Sequence, residues 1–194
     1  MERAIAVSDR SLALPRVTAV LLGAVLVAAA AQIAVPLPGT PVPMTLQPLA
    51  VLLVGGLLGA RLGAASMVLY LTLGIAGLPV FTPTVPLLGI ARLLGPTGGY
   101  LLAYPVAAWV VGRVVTPGLA PGVYTPYWAR VAVGVLCGLV LIHVGGLAQL
   151  AILTGDISGA ARLGTLPFLL GDLAKLAVAT AVLSKLTPAV RARL

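Results

Sequence analysis

The chain has 194 residues, of which 60% are hydrophobic and only 8% charged, with a mean hydropathy of +1.15. A soluble domain carries about a quarter charged residues, so this composition is that of an integral membrane protein. The net charge of +8 is scattered and has no interleaved aromatics, which argues against nucleic acid as a partner, and the single cysteine, Cys137, can form no internal disulfide.

At ~20 apolar residues per spanning helix, the length admits six or seven helices with short loops, in one domain over residues 1–194. Met1 to Pro15 is polar and is expected along the membrane surface. It shows no cleavage-site pattern, so the first apolar run reads as a retained helix rather than a signal peptide. That first span, Arg16 to Val35, repeats small residues (Ala19, Gly23, Ala24, Ala28, Ala31) at helical spacing, the pattern that lets helix backbones approach closely. An internal neighbour or a partner protein could use that face. The uncharged connector Pro36-Leu37-Pro38-Gly39-Thr40-Pro41-Val42-Pro43 cannot continue a helix. A second span follows over Met44 to Ala60, with Thr45 and Gln47 near its start, then a tight turn over Gly59 to Gly63. A third span covers Ala64 to Leu78. Residues Pro79 to Leu94 form a loop with three prolines and one charge, Arg92. The fourth span starts in Gly95-Pro96-Thr97-Gly98-Gly99-Tyr100 and ends near Val115. Thr116 to Tyr127 is a second proline-glycine loop. The fifth span, Trp128 to Leu153, holds His143 and Gln149; Thr154 to Leu166 is a polar loop, and the sixth span runs from Pro167 to Leu186.

The class expected is therefore an all-α membrane protein with six transmembrane helices and both termini on one side. With that side cytoplasmic, the inner segments hold Arg3, Arg10, Arg16, Arg61, Arg113, Arg130, Lys185, Arg191 and Arg193. The outer loops hold only Arg92 and Arg162, and Lys175 is intramembrane. The positive-inside rule selects this orientation. It also brings Thr45, Gln47, Arg92, the glycine turn and the start of the sixth helix to the outer face.

The sharpest chemical signal is Asp172 and Lys175, one turn apart on the sixth helix. Ionisable groups at the centre of a membrane cost about 2.5–3.5 kcal/mol each on insertion scales and are kept when paired or functional. The two either satisfy one another as a packing pair or offer an acceptor and a donor to an uncharged polar head group. Arg92 with the Gly98–Gly99–Tyr100 turn is either a carboxylate clamp or a solvated loop arginine beside glycines that only pack. Tyr70, Tyr100 and Tyr104 line a pocket or anchor packing. His143 is alone, needs no role beyond a buried hydrogen bond, and belongs to no metal-ligand cluster. No G-x-x-x-x-G-K-[ST] occurs, so the chain hydrolyses no ATP through a P-loop, and no nucleophile–base arrangement supports an enzyme.

The blocks from Pro36 to Gln47, Gly77-Leu78-Pro79-Val80-Phe81, Leu94 to Tyr100, and Pro167-Phe168-Leu169-Leu170-Gly171-Asp172-Leu173-Ala174-Lys175 together, and in this order, resemble the BioY family, the biotin-specific substrate-binding (S) components of energy-coupling-factor transporters. The resemblance implies a six-helix subunit of a bacterial or archaeal cell membrane that captures biotin at its outer face with high affinity. It implies partners, a transmembrane T component and two cytoplasmic ATPases, with no cofactor in this chain. It further implies that Asp172 and Lys175 take the ureido ring, and that Arg92 and Gly98, Gly99 and Tyr100 take the valerate tail. Thr45 and Gln47 border the site, and the small-residue face of the first helix, in a register such as Ala19/Gly23 or Ala24/Ala28, docks the T component. The chain contains no asparagine, so Thr82 or Thr84 stands where family members use one. Another vitamin as ligand, or a membrane protein without a transport role, is the alternative.

Overall fold

The computed structural model describes residues 2–116 and 126–194, with side chains from residue 14 onward. Eight helices carry the chain among the described residues: α1 (Glu2–Gln32), α2 (Gln47–Leu58), α3 (Ala60–Ile75), α4 (Ile90–Leu94), α5 (Gly98–Val114), α6 (Tyr127–Thr154), α7 (Ile157–Gly164) and α8 (Leu169–Arg191). A two-residue hairpin pairs β1 (Ala34–Val35) with β2 (Met44–Thr45), in the register Ala34 opposite Thr45. Helix α1 packs on α2 and α3, α5 sits between α3, α2 and α6, and α8 closes against α2 and α6.

Three stretches are long and apolar enough to cross a membrane among the described residues: Leu14–Gln32, Tyr127–Thr154 and Ile157–Arg191. Helices α2 and α3 are short. At 1.5 Å per residue, the 12 residues of α2 rise only about 18 Å, well under a ~30 Å hydrocarbon core. The reason lies in the sequence: β2 takes Met44 and Thr45 into the hairpin, and Pro48 fixes the start of α2 at its first turn. Connector segments therefore fill the end of the bundle that α2 and α3 do not reach, and there the chain surrounds a cavity.

Several sequence expectations change. The N-terminal stretch expected along the membrane surface is continuous with α1, Pro15 included. The turn expected over Gly59 to Gly63 shrinks to Gly59, whose φ of +86° favours glycine, and Ala60 to Gly63 already belong to α3. The loop after α6 contains α7, capped by Asp156, whose carboxylate accepts from the N–H groups of Ser158 and Gly159, both at 2.8 Å. The second proline-glycine loop lies for the most part outside the described residues.

The small-residue face of α1 is largely spent inside the subunit. Gly23 and Ala24 are buried; a Cβ at Gly23 would sit 2.5 Å from Ser66 Oγ of α3, and Ala24 belongs to the core. Ala19 and Ala28 are half-buried. Each of the two expected docking registers, Ala19/Gly23 and Ala24/Ala28, thus has one member buried inside the subunit, where Gly23 meets α2 and α3.

At the other end of the bundle two arginines act as clasps. Arg191 in the last turn of α8 donates to Gly56 O of α2 (2.6 and 3.1 Å), to Gly112 O of α5 (3.0 Å) and to Thr116 Oγ1 (2.6 Å). Arg130 donates to Val114 O (3.2 Å) and Thr116 O (2.7 Å). Guanidinium groups there satisfy carbonyls that a helix C-terminus leaves open.

Candidate ligand-binding site

The cavity is walled by five parts of the chain: Val42, Pro43, Thr45, Gln47 and Pro48 from the connector and α2, Thr82 and Arg92 from the segment before α5, Thr97, Tyr100, Leu101 and Tyr104 from α5 and its entry, Leu139, Ile142 and His143 from α6, and Phe168, Asp172 and Lys175 from the start of α8. An apolar chamber with a few convergent polar groups is the usual form of a small-molecule site.

The polar groups form two stations. In the first, the Asp172 carboxylate receives Lys175 Nζ on Oδ1 at 2.9 Å and His143 Nε2 on Oδ2 at 2.6 Å. The three come from the apolar helices α6 and α8, and Lys175 is only 7% exposed. The lysine follows from helical spacing. The histidine comes from another helix, 29 positions away, and its ring is held edge-on to Tyr100 at 6.2 Å and beside Phe168 at 6.5 Å.

The second station is Arg92. It is 1% exposed, with Nη1 donating to Val85 O at 2.6 Å and Nη2 to Thr82 O at 2.8 Å. Its Nε is buried without a partner among the described residues, as are Thr97 Oγ1 and His143 Nδ1. Burial lowers the pKa of Arg92 from the usual guanidinium value, the sign of a cation short of solvation, which an anion would relieve. Also on the cavity wall, Gln47 donates from Nε2 to Tyr70 OH at 2.6 Å, while its Oε1 accepts from Thr45 Oγ1 at 3.3 Å.

Of the residues singled out in the sequence, Thr45, Gln47, Arg92, Tyr100, Asp172 and Lys175 meet at this cavity. Gly98 and Gly99 do not line it. They pack against neighbouring elements: a Cβ on Gly98 would strike Leu93 O of α4 and Gln149 of α6, and one on Gly99 would strike Gly145 O of α6. Their role in this structure is close packing, and Gln149 pins the same turn by donating to Leu93 O (2.8 Å) and Gly95 O (2.6 Å). Thr97 stands at the N-cap of α5 but makes no capping bond. Tyr70 lies one layer behind the wall, packed edge-on to Phe81 at 5.4 Å, whereas Tyr104 lines the cavity, as does Thr82 of the two threonines. Tyr100 OH donates to Gly164 O, tying α5 to α7. His143 is the residue the sequence undervalued. The one available signal was a polar side chain within the longest apolar run.

A bundle of apolar helices that gathers Arg92, Asp172 and Lys175 around one buried chamber defines a membrane-type binding protein. Residues 4–192 match the BioY family model, and the chain belongs to that family, whose members are transporter components and not enzymes. It is 38% identical over 170 residues to the probable biotin transporter BioY of Pyrococcus horikoshii, covering 88% of this chain and 94% of that protein. It is 36% identical over 161 residues to the biotin transporter BioY of Thermotoga maritima, covering 83% and 89%. The fold matches a crystal structure of the S-component for biotin from an ECF-type ABC transporter with a TM-score of 0.77, at 24% identity, over 91% of this chain and 92% of the other.

Proposed function

We propose that this chain captures biotin with high affinity at the outer face of a bacterial or archaeal cell membrane and delivers it inward as the substrate-specific subunit of an energy-coupling-factor transporter. The observation that carries this is the pairing, in one apolar cavity, of the Asp172–Lys175 couple with the buried cation Arg92. Biotin has the matching polarity. Its ureido ring offers N–H donors to Asp172 and a carbonyl to Lys175, its bicyclic body suits the apolar wall, and its valerate carboxylate suits Arg92. Thr45, Gln47 and Tyr100 complete the polar lining; Gly98 and Gly99 act by setting the α5–α6 distance.

Six spans with both termini cytoplasmic place the cavity outside, because nine of the twelve basic residues then lie on the inner side. The connectors over residues 36–43 and 79–97 close over the ligand. Thr40 Oγ1, which donates to Leu163 O at 2.6 Å, anchors the first of them to α7. A transmembrane T component and two ATPases supply the energy, consistent with the absence of a P-loop from the sequence. Ala19 and Ala28 of α1, together with that helix's exposed apolar residues, are the docking face.

Displacement of labelled biotin from the purified protein tests the ligand. Desthiobiotin, which keeps both the ureido group and the tail, displaces it; thiamine and riboflavin do not. Displacement by either of those vitamins instead of by desthiobiotin reassigns the ligand.

A further inference from the structure

We propose that His143 is a positioning residue for Asp172: it locks the α8 carboxylate in the one orientation in which it can accept an N–H from the ligand ring. This rests on the cavity being a biotin site. Lys175 reaches Oδ1 from the same helix, one turn on, and a flexible lysine stem alone leaves the carboxylate free to turn about its last torsion. His143 takes the opposite oxygen, Oδ2, from α6 at 2.6 Å. Two donors on two oxygens, from two helices, fix the plane, and each oxygen keeps an accepting position for a ligand.

The imidazole is suited to this because it is itself held, between the edge-on ring of Tyr100 and Phe168. An ionised carboxylate only accepts, so His143 Nε2 carries the proton of that bond.

The experiment uses the full chain in detergent. His143→Leu lowers biotin affinity by about tenfold or more, the worth of one hydrogen bond to a charged group. His143→Gln, whose amide N–H can serve the same oxygen, recovers most of that loss. In an Asp172→Asn background, His143→Leu has little further effect, since residues acting through one another are not additive. Equal losses in both backgrounds, no loss at all, or no recovery with glutamine overturn the proposal. The chain has a single histidine, so nitrogen-15 labelling of histidine reports this imidazole alone, without ligand. Its Nε2 signal shifts on Asp172→Asn; a signal indifferent to Asp172 overturns the pairing. Wild type that binds biotin tightly while His143→Leu is unaffected overturns this proposal alone. Wild type that shows the coupling but binds no biotin overturns the ligand assignment, and the positioning role with it.

Discussion

Replacing both members of the buried ion pair separates binding from folding. Asp172→Ala by itself strands the Lys175 ammonium, which is 7% exposed and has Asp172 as its salt-bridge partner at 2.9 Å. Removing one partner of a buried pair costs about 3–5 kcal/mol. The double variant Asp172→Leu/Lys175→Met exchanges the pair for apolar side chains of similar length, a change that is often close to neutral. The loss of the acceptor of His143 Nε2 is common to both variants. The double variant is therefore more stable than the single one by about 3–5 kcal/mol, although it carries one more substitution. Thermal unfolding in detergent, followed by circular dichroism, ranks the three proteins; biotin titration on the same preparations reads the site. The expected order of stability is wild type, then the double variant, then Asp172→Ala, with biotin binding lost in both variants. A double variant no more stable than Asp172→Ala refutes the account of a desolvated pair. A double variant that still binds biotin refutes its role as the ligand station.

Arg92→Gln weakens biotin about 10–100-fold, the worth of a charge-assisted hydrogen bond, and weakens biotinamide much less; comparing titrations of the two ligands checks that the arginine meets the carboxylate. Arg191→Met, which removes the clasp on Gly56 O and Gly112 O at the far end of the bundle, lowers stability by about 2 kcal/mol in thermal unfolding. It leaves biotin affinity within about twofold, because sites this far apart act independently. Orientation is read with single cysteines in a Cys137→Ala background: Ser158→Cys on α7 reacts with a membrane-impermeant thiol reagent added outside intact cells, and Lys185→Cys near the end of α8 does not.

Much of the site was legible because burying charge in a membrane is costly. An aspartate and a lysine one turn apart in an apolar run mark themselves, and Arg92 stands out as the one charge in its loop. His143 was not legible in the same way. Its meaning depends on a carboxylate 29 positions away on a different helix, and helical periodicity carries no information about which helices become neighbours. Glycines 98 and 99 show the converse limit. A glycine turn at a helix start fits anion binding and close packing equally well, and the approach of the Gly145 carbonyl to Gly99 is a contact between helices that the local sequence does not encode. Helix α7 was missed because its eight residues are too few for a periodic signal, although Asp156 ahead of Ser158 and Gly159 is a recognisable cap. The brevity of α2 follows from a two-residue pairing across an eight-residue connector, a long-range contact that local hydropathy does not encode.

The most direct measurement is isothermal titration of the purified wild-type protein with biotin, with thiamine as the control. The account predicts tight one-to-one binding of biotin and no heat from thiamine. Well-folded protein that gives no biotin signal, or that binds thiamine as tightly, would contradict it.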